Sequence, residues 1–369
     1  MKLNTILLFC IMTAFTSCNG QSSYKDEGYS IKSAVVTGDV VKKLSDSLWY
    51  IFQDKNNNFW FGSNGEGVFR YDGKSILNFT AKNGLSSDSV RQILEDESGN
   101  MYFSTMNGIN KFDGKIFTTL EPVKSTAWRK EANDLWFYML GKKDEHGPYR
   151  YDGKQLYNLE FPKHYLHDEF YERGINPFFS PYEVYSIYKD RTGDMWFGTS
   201  VFGACRFDGQ SVKWMYEKDL TIVPAGGSFG IRSIFQDKEG SFWFCNTLNR
   251  YNINREETAK SDRLQYQKVT GIGDAKIFDG DEYIYYSCIL EDNNGNVWFT
   301  TWDKGVYKYD GKNIQHYPVK NGSKNINLVS MYKDNQGVLW LGTPENGTYK
   351  FNGENFERFY YVSSLLKYG

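Results

Sequence analysis

Short runs of alternating apolar and polar residues recur along most of this chain, and each run ends at a turn. Residues 48–52, 184–188 and 328–332 are apolar runs that lead into an aspartate. After each aspartate come a tight turn, a Trp-Phe-rich run and a third run that ends in Tyr-Asp-Gly or Phe-Asp-Gly or a close variant. Asp-Gly between two alternating runs is a strong hairpin signal. The pattern therefore predicts units of four antiparallel strands.

This unit is repeated. Six aspartates are each followed, six residues later, by an aromatic anchor: Asp54 and Trp60, Asp96 and Tyr102, Asp190 and Trp196, Asp237 and Trp243, Asp292 and Trp298, and Asp334 and Trp340. A seventh, degenerate copy has Asn133 and Asp134 in a shortened turn before Leu135-Trp136-Phe137. A single four-stranded sheet cannot bury both faces, whereas radial stacking of several sheets does so. We expect the aromatic anchors to fill the wedges between neighbouring sheets.

The predicted fold is therefore all-β, a seven-bladed β-propeller of four-stranded antiparallel blades. All seven blades are expected to be complete, and residues 31–45 are expected to add an edge strand or a plug. A β-sandwich or a solenoid is the alternative. The predicted blades span residues 46–81, 88–121, 125–160, 183–218, 229–269, 283–319 and 326–361.

The repeats over nearly all of residues 46–361 carry a resemblance to a known repeat family, illustrated by two stretches. They are Ser186-Ile187-Tyr188-Lys189-Asp190-Arg191-Thr192-Gly193-Asp194-Met195-Trp196-Phe197-Gly198-Thr199 and Gly84-Leu85-Ser86-Ser87-Asp88-Ser89-Val90. Both resemble the two-component regulator propeller repeat, whose members commonly form extracytoplasmic sensor regions of hybrid histidine kinases, several of them glycan sensors. The resemblance implies the fold and a binding role. Because no kinase segment or transmembrane helix is found in the sequence, we expect a stand-alone, lipid-tethered binding module.

The first residues predict export. Lys2, an apolar stretch over residues 5–15 and the small residues before Cys18 form a secretory signal peptide over residues 1–17. Cys18 resembles the lipidated cysteine of bacterial lipoproteins, although an ordinary signal peptide with a chance cysteine is the alternative. Residues 18–45 are then a lipidated tether and N-terminal extension, followed by the propeller over residues 46–369. The expected location is the bacterial envelope, anchored in the outer membrane or facing the periplasm, with a lipid as the membrane contact.

Composition and charge exclude several classes of partner and site. The net charge of −2 and the absence of a dense basic run argue against nucleic acid. Cys205, Cys245 and Cys288 fall at strands of different repeats, so we expect buried thiols rather than a disulfide framework.

Loops at one end of a propeller usually bind ligands, and the repeat pattern identifies which residues lie there. Aromatic, arginine and amide side chains at this face suit a sugar or a peptide. The predicted function is binding of a glycan, a peptide or an envelope protein partner, by a monomer and without catalysis or a cofactor. The candidate ligand-binding residues are Trp49, Arg91, Asn107, Tyr185, Phe202, Arg232, Trp302, Asp303, Glu345 and Asn346.

Three other interpretations remain open. The propeller could be a scaffold in an envelope complex. It could also be an enzyme, since Gly295-Asn296-Val297-Trp298-Phe299-Thr300 is similar to a streptogramin-lyase strand, although the histidine and glutamate pattern of those enzymes is missing. Finally, the insertion over residues 160–182 contains His164, His167, Asp168 and Glu169, which would suit zinc, although His-x-x-His alone is a weak signal.

Overall fold

The computed structural model describes residues 36–141, 147–172, 180–221, 230–245, 247, 249–272 and 286–361. The predicted signal peptide, Cys18 and most of the tether lie outside these residues. The expected fold is confirmed, because the described strands form seven successive sheets with four blade strands each. No helix among the described residues is long and apolar enough to cross a membrane.

The first two blades follow the predicted order, with the first strand of each blade innermost. Strand β1 (Asp39–Val41) comes first and pairs antiparallel with the outer strand of blade 1, as expected for an edge strand. Blade 1 consists of β2 (Leu48–Gln53), β3 (Phe59–Ser63), β4 (Val68–Tyr71) and β5 (Ile76–Phe79). A 3₁₀ turn (Ala81–Asn83) leads into blade 2, which consists of β6 (Val90–Glu95), β7 (Met101–Thr105), β8 (Ile109–Phe112) and β9 (Phe117–Leu120).

Blade 3 departs from the prediction. It contains β10 (Pro122–Ser125), β11 (Leu135–Phe137), β12 (Tyr149–Tyr151) and β13 (Leu156–Leu159). Strand β10 lies at the outer edge and runs parallel to β13, so β11 is the innermost strand that the structure describes in this blade. The expectation that all seven copies are complete was wrong here, because residues 126–134 form no strand at the channel.

The remaining blades keep the regular order, with short helices in the connections. Helix α1 (His167–Glu172) precedes blade 4, and α2 (Lys218–Thr221) follows it. Blade 4 consists of β14 (Val184–Lys189), β15 (Met195–Thr199), β16 (Ala204–Phe207) and β17 (Val212–Met215). Blade 5 consists of β18 (Ile234–Gln236), β19 (Phe242–Phe244), β20 (Asn249–Ile253) and β21 (Tyr266–Thr270), with α3 (Arg255–Ala259) between β20 and β21.

Blades 6 and 7 complete the ring. Blade 6 consists of β22 (Tyr286–Glu291), β23 (Val297–Thr301), β24 (Val306–Tyr309) and β25 (Ile314–Tyr317). A small hairpin of β26 (Lys320–Asn321) and β27 (Lys324–Asn325) leads to blade 7, which consists of β28 (Ser330–Lys333), β29 (Leu339–Gly342), β30 (Thr348–Phe351) and β31 (Phe356–Arg358).

Each repeated aspartate organises the hairpin between the first two strands of its blade. Asp334 Oδ1 accepts hydrogen bonds from the backbone N–H groups of Gln336 and Val338, at 3.0 and 2.8 Å, and Oδ2 accepts one from Trp340 Nε1 at 2.8 Å. The same tryptophan bond recurs in blades 1, 4, 5 and 6, and Tyr102 replaces the tryptophan in blade 2. The anchors are buried between blades, as the sequence predicted.

The ring closes between blades 7 and 1 without exchange of a strand. Phe359 packs on Trp340 and on Tyr71, with ring centroids 5.1 and 5.7 Å apart. Arg358, the last residue of β31, pairs with Asp46 at 2.5 Å, so the end of the last strand contacts blade 1. Side-chain packing and the backbone bridge between Leu48 and Thr343 therefore close the propeller.

Candidate functional site

The face that carries the predicted site is formed by the starts of the inner strands and by the loops between the second and third strands of each blade. Isolated bridges between Asn64 and Ser89, and between Leu48 and Thr343, join such loops to the start of the next inner strand. We call this the upper face. The hairpin aspartates lie at the opposite, lower face because they follow the ends of the inner strands.

One position in or just before each regular inner strand defines the mouth of the channel. It lies five residues before the hairpin aspartate, and we call it the ring position. In blades 1, 2, 4 and 6 the strand pairing shifts at this residue, as at a β-bulge. A bulged residue has no cross-strand partner, and its side chain is re-aimed away from the blade. The six ring residues are Trp49, Arg91, Tyr185, Arg232, Ser287 and Val329.

In blades 2, 4, 5 and 7 the residue after the ring position ties its blade to the next blade. Ser186 Oγ donates to the carbonyl oxygen of Ile231 at 2.7 Å, and Ser330 Oγ donates to the carbonyl oxygen of Trp49. Gln92 Nε2 likewise donates to a carbonyl of blade 3, and the backbone N–H of Ile289 donates to Ser233 Oγ at 3.0 Å. These neighbours hold adjacent blades together, and of the ring residues Ser287 and Arg91 also bond to an adjacent blade.

Arg91 and Trp49 form the first pair at the mouth. The guanidinium carbon of Arg91 lies 4.9 Å from the centroid of the Trp49 ring, close enough for a cation–π contact. Arg91 Nη2 donates to Asn64 Oδ1 at 2.8 Å, and Nη1 donates to the carbonyl oxygen of Val90 at 3.3 Å. Arg91 is buried, and Trp49 is half-buried.

Arg232 and Tyr185 form an equivalent pair across blades 5 and 4. The Arg232 guanidinium carbon lies 4.4 Å from the centroid of the Tyr185 ring, and Arg232 is exposed. Beside them, buried Glu183 accepts a hydrogen bond from the backbone N–H of Gly141. Burial raises the pKa of the Glu183 carboxyl, and burial together with the Glu183 charge raises the pKa of Tyr185 to about 12. Each arginine thus stacks on the aromatic residue of the preceding regular blade.

Tyr138 occupies the inner side of blade 3, where the expected inner strand is missing. Its hydroxyl donates to the carbonyl oxygen of Arg91 at 3.0 Å, and its backbone N–H donates to Gln92 Oε1 at 3.3 Å. Burial, and next the neighbouring Tyr50 hydroxyl, hold the pKa of Tyr138 well above its ordinary value. Because it contacts residues of the inner strands, Tyr138 extends blade 3 towards the channel.

The structure distributes the other predicted residues over the upper face and the core. Trp302 is 43 % exposed, and Asn107, Asp303 and Glu345 are also exposed. Asn346 is half-buried, and its Oδ1 accepts a hydrogen bond from Asn321 Nδ2 at 3.0 Å. These five residues lie in loops rather than at the ring position.

Phe202 does not face solvent. It is 1 % exposed, and its ring stacks on His164 with centroids 4.5 Å apart and on Tyr182 in an edge-to-face contact. The insertion before blade 4 covers it, so Phe202 packs the insertion onto its blade. Direct contact of Phe202 with a ligand is not compatible with this burial.

The insertion also fails to assemble the suggested zinc site. His164 is buried, and its Nδ1 accepts a hydrogen bond from the backbone N–H of Leu166, whereas His167 Nδ1 is paired with the Tyr182 hydroxyl. Asp168 forms an exposed ion pair with Lys163 at 2.7 Å. Over the part of the chain that the structure describes, no group of three or more histidine, cysteine, aspartate or glutamate side chains could hold a metal ion.

Glu183 and Tyr138 are the neighbours of the mouth that the sequence did not reveal. Glu183 lies two residues before the ring position, outside the repeated motif, and Tyr138 belongs to the degenerate copy. A signal was present only for Glu183, because it directly precedes the apolar residue that begins strand β14.

Comparison with protein families confirms the repeat. Four segments match the family described as two component regulator propeller, namely residues 84–107, 179–201, 280–303 and 322–345. No curated protein is similar enough to this chain to count as a match.

Solved structures share the fold at low sequence identity. The extracellular domain of a protein named as a one component system of B. thetaiotaomicron is 17 % identical, with a TM-score of 0.55 over 88 % of this chain. This chain spans only 40 % of that domain. Virginiamycin B lyase from Staphylococcus aureus is 14 % identical, with a TM-score of 0.58, and the match covers 84 % of this chain and 96 % of the lyase.

A third similar structure is PorZ, a bacterial surface component of the type-IX secretion system of Porphyromonas gingivalis. It is 15 % identical, with a TM-score of 0.55, and the match covers 83 % of this chain and 46 % of PorZ. An extracellular domain of a one component system, a lyase and a component of a secretion system therefore share this architecture. At these identities the likeness shows the fold alone, so function must be argued from the residues at the mouth.

Proposed function

Because this chain belongs among the proteins built from two component regulator propeller repeats, we propose that it is a non-catalytic binding module that holds an extracytoplasmic ligand at the mouth of its channel. The ligand is a glycan or a peptide, held over the ring position of the upper face. Arg232 and Tyr185 would form its centre, and Trp302 would add an exposed indole for stacking.

One observation carries this proposal. The residue at the ring position differs between blades, with five residue types among the six positions. In blades 2, 4, 5 and 7 the residue that follows it bonds to the adjacent blade. Two of these positions place an arginine on an aromatic ring of the preceding regular blade. Planar guanidinium groups and aromatic faces suit the hydroxyl groups and apolar faces of sugars and the amide planes of peptides.

We place the proposed module in the bacterial envelope. The support comes from the first residues of the chain, which read as a signal peptide that ends before Cys18. The similar domain from B. thetaiotaomicron is extracellular, and PorZ is a surface component, which agrees with export. A lipid on Cys18 would then keep the propeller at a membrane surface without a spanning helix. Mass spectrometry of the membrane fraction would detect the lipidated cysteine.

The test is a thermal-shift screen of the full chain against neutral oligosaccharides and short peptides. A ligand present at 100 times its dissociation constant should stabilise the folded state by about 2.7 kcal/mol. We expect Arg232→Ala and Trp302→Ala to weaken binding of the same ligand, because both side chains are exposed at the upper face.

Lys350→Ala is the matched control. Lys350 stacks on Trp340 at 5.2 Å on the wall of blade 7, so its loss removes a similar contact away from the mouth. A ligand whose binding is unchanged in both upper-face variants would overturn the proposed site. The absence of any stabilising ligand in the panel would overturn the proposed function.

A further inference from the structure

Arg91 carries a buried positive charge that no acidic side chain compensates among the described residues. It is 8 % exposed, and its hydrogen bonds go to an amide oxygen, Asn64 Oδ1, and to the carbonyl oxygen of Val90. The face of the guanidinium is covered by the Trp49 ring. Elsewhere in the described chain, buried Arg150 and Arg206 are each paired with an aspartate. Arg91 is therefore unlike the other buried arginines of the blades.

A buried charge without a counter-charge is costly, since dipoles and aromatic faces replace only part of its hydration. Two of the five N–H groups of Arg91 donate to the acceptors above, and for the rest no acceptor is found in the described part of the chain. The adjacent Trp49 Nε1 is also buried without a hydrogen-bond partner. This side of the mouth thus has more hydrogen-bond donors than acceptors and one positive charge without a counter-charge.

The charged residues at the ring position are all positive. Its six residues include two arginines and no acidic side chain. Glu183, the carboxyl group beside Tyr185 and Arg232, is engaged by the backbone N–H of Gly141 and is buried. Because no carboxylate among the described residues is bonded to or paired with Arg91, a negatively charged group of a ligand would meet attraction there.

We propose that the ligand of the channel mouth carries a carboxylate and that Arg91 is the residue that recognises it. This inference rests on the proposed binding function and names the chemical class of its ligand. A guanidinium fork and a carboxylate form paired hydrogen bonds that a neutral hydroxyl group cannot reproduce. The carboxylate belongs either to a uronic acid of a glycan or to the C-terminus of a peptide.

Calorimetric titration of the full chain with two matched ligand pairs tests this inference. The first pair is a trisaccharide of galacturonic acid and neutral galactotriose. The second pair is a tripeptide with a free C-terminal carboxylate and the same tripeptide as its amide. We expect one acidic member to bind roughly 10- to 100-fold more tightly than its neutral partner, the usual value of a charge-assisted hydrogen bond. The pair that shows the difference identifies the source of the carboxylate.

Arg91→Met should abolish this preference, and Arg91→Lys should retain part of it. Arg70→Met is the matched control, because the Arg70 guanidinium stacks on Trp60 at 5.8 Å in the blade wall. If Arg91→Met does not fold, the salt dependence of binding to the wild-type chain still tests whether a charge recognises the acidic ligand. Raising the salt concentration from about 10 to about 500 mM should weaken the acidic ligand several-fold and leave the neutral ligand unchanged.

The outcomes separate this inference from the proposed function. Equal binding of the acidic and neutral members, lost in Arg232→Ala, would overturn the carboxylate and keep the binding site. A preference for the acidic member that survives Arg91→Met and resists salt would overturn the role of Arg91. Failure of every ligand to bind would overturn both proposals.

Discussion

The regular blades and blade 3 each contain four strands, but different bonds hold their hairpin aspartates. In blades 1, 4, 5, 6 and 7 the hairpin aspartate accepts a hydrogen bond from the indole of the anchor tryptophan, at 2.7 to 3.0 Å. In blade 3 the corresponding Asp134 instead forms an ion pair with Arg150, through Nε and Nη2. Arg255 and Arg250 also pair with the hairpin aspartates of blades 4 and 5, at 3.1 and 3.4 Å. There the indole hydrogen bond is kept, whereas in blade 3 the buried ion pair replaces it.

The two regions also differ at the channel. Each regular blade has an inner strand, whereas in blade 3 the side chain of Gln92 bonds to the backbone of Trp136 and Tyr138. Residues 126–134 run along blade 4 instead, where Trp128 packs on Phe207 and Lys130 pairs with Asp194 at 3.0 Å. A repeat that loses one strand therefore keeps its place in the ring through long-range side-chain contacts. Its stability should depend on a few individual residues.

The largest expected effect is at Asp134. Asp134→Ala leaves Arg150 charged, with its side chain 8 % exposed, and without a counter-charge. Breaking a buried ion pair in this way costs about 3–5 kcal/mol of the free energy of unfolding. Guanidinium unfolding of the variant and the wild type measures the loss. The double variant Asp134→Leu with Arg150→Met should recover most of it, and a loss below about 1 kcal/mol would show that the pair is solvated.

A smaller effect is expected at the equivalent aspartate of a regular blade. Asp334→Ala removes the acceptor of two backbone N–H groups and of Trp340 Nε1, and leaves the buried indole N–H unpaired. We expect a loss of about 2 kcal/mol, typical of an unpaired buried donor. Asp334→Asn is the control, because it keeps one side-chain acceptor. If Asp334→Ala destabilised the chain as much as Asp134→Ala in the same unfolding experiment, the contrast between the two kinds of blade would fail.

The smallest predicted effect is a pH dependence of stability that comes from His164, in the insertion after blade 3. Burial lowers the pKa of His164 from 6.5 to about 3, so the folded chain keeps this imidazole neutral while the unfolded chain protonates it below pH 6.5. The contribution of His164 to stability is therefore present at neutral pH and is lost as the pH falls from 6.5 towards 3. Between pH 7.5 and 5.5 the loss should be about 1.4 kcal/mol.

His164→Phe keeps an aromatic ring against Phe202 and cannot titrate, so its stability should change less over the same pH range. Denaturation curves at the two pH values measure both chains. His167→Phe is the matched control, since His167 is only half-buried. An identical pH dependence in the wild type and in His164→Phe would show that other groups account for it.

Much of the architecture could be predicted because the responsible interactions are local. The carboxylate of Asp54 bonds to Asn56, Asn58 and Trp60, all within six residues along the chain. The spacing of these residues in the sequence therefore predicts the hairpin, and counting the hairpins gives the number of blades. The same register identified Trp49, Arg91, Tyr185 and Arg232 as equivalent residues at one end of their strands, and the structure brings them together in two stacked pairs.

The missing inner strand of blade 3, the burial of Phe202 and the placement of Glu183 and Tyr138 could not be predicted in this way. Tyr138 bonds to Arg91, 47 residues away, and Phe202 stacks on a histidine of the preceding insertion. By itself the sequence determined the hairpins, the blades and the register of the ring position, because hydrogen bonds within a few residues depend only on local spacing. Only the tertiary structure decided which side chains at the mouth remain accessible and which charge is left uncompensated, because burial and pairing depend on residues that distant parts of the chain bring into contact.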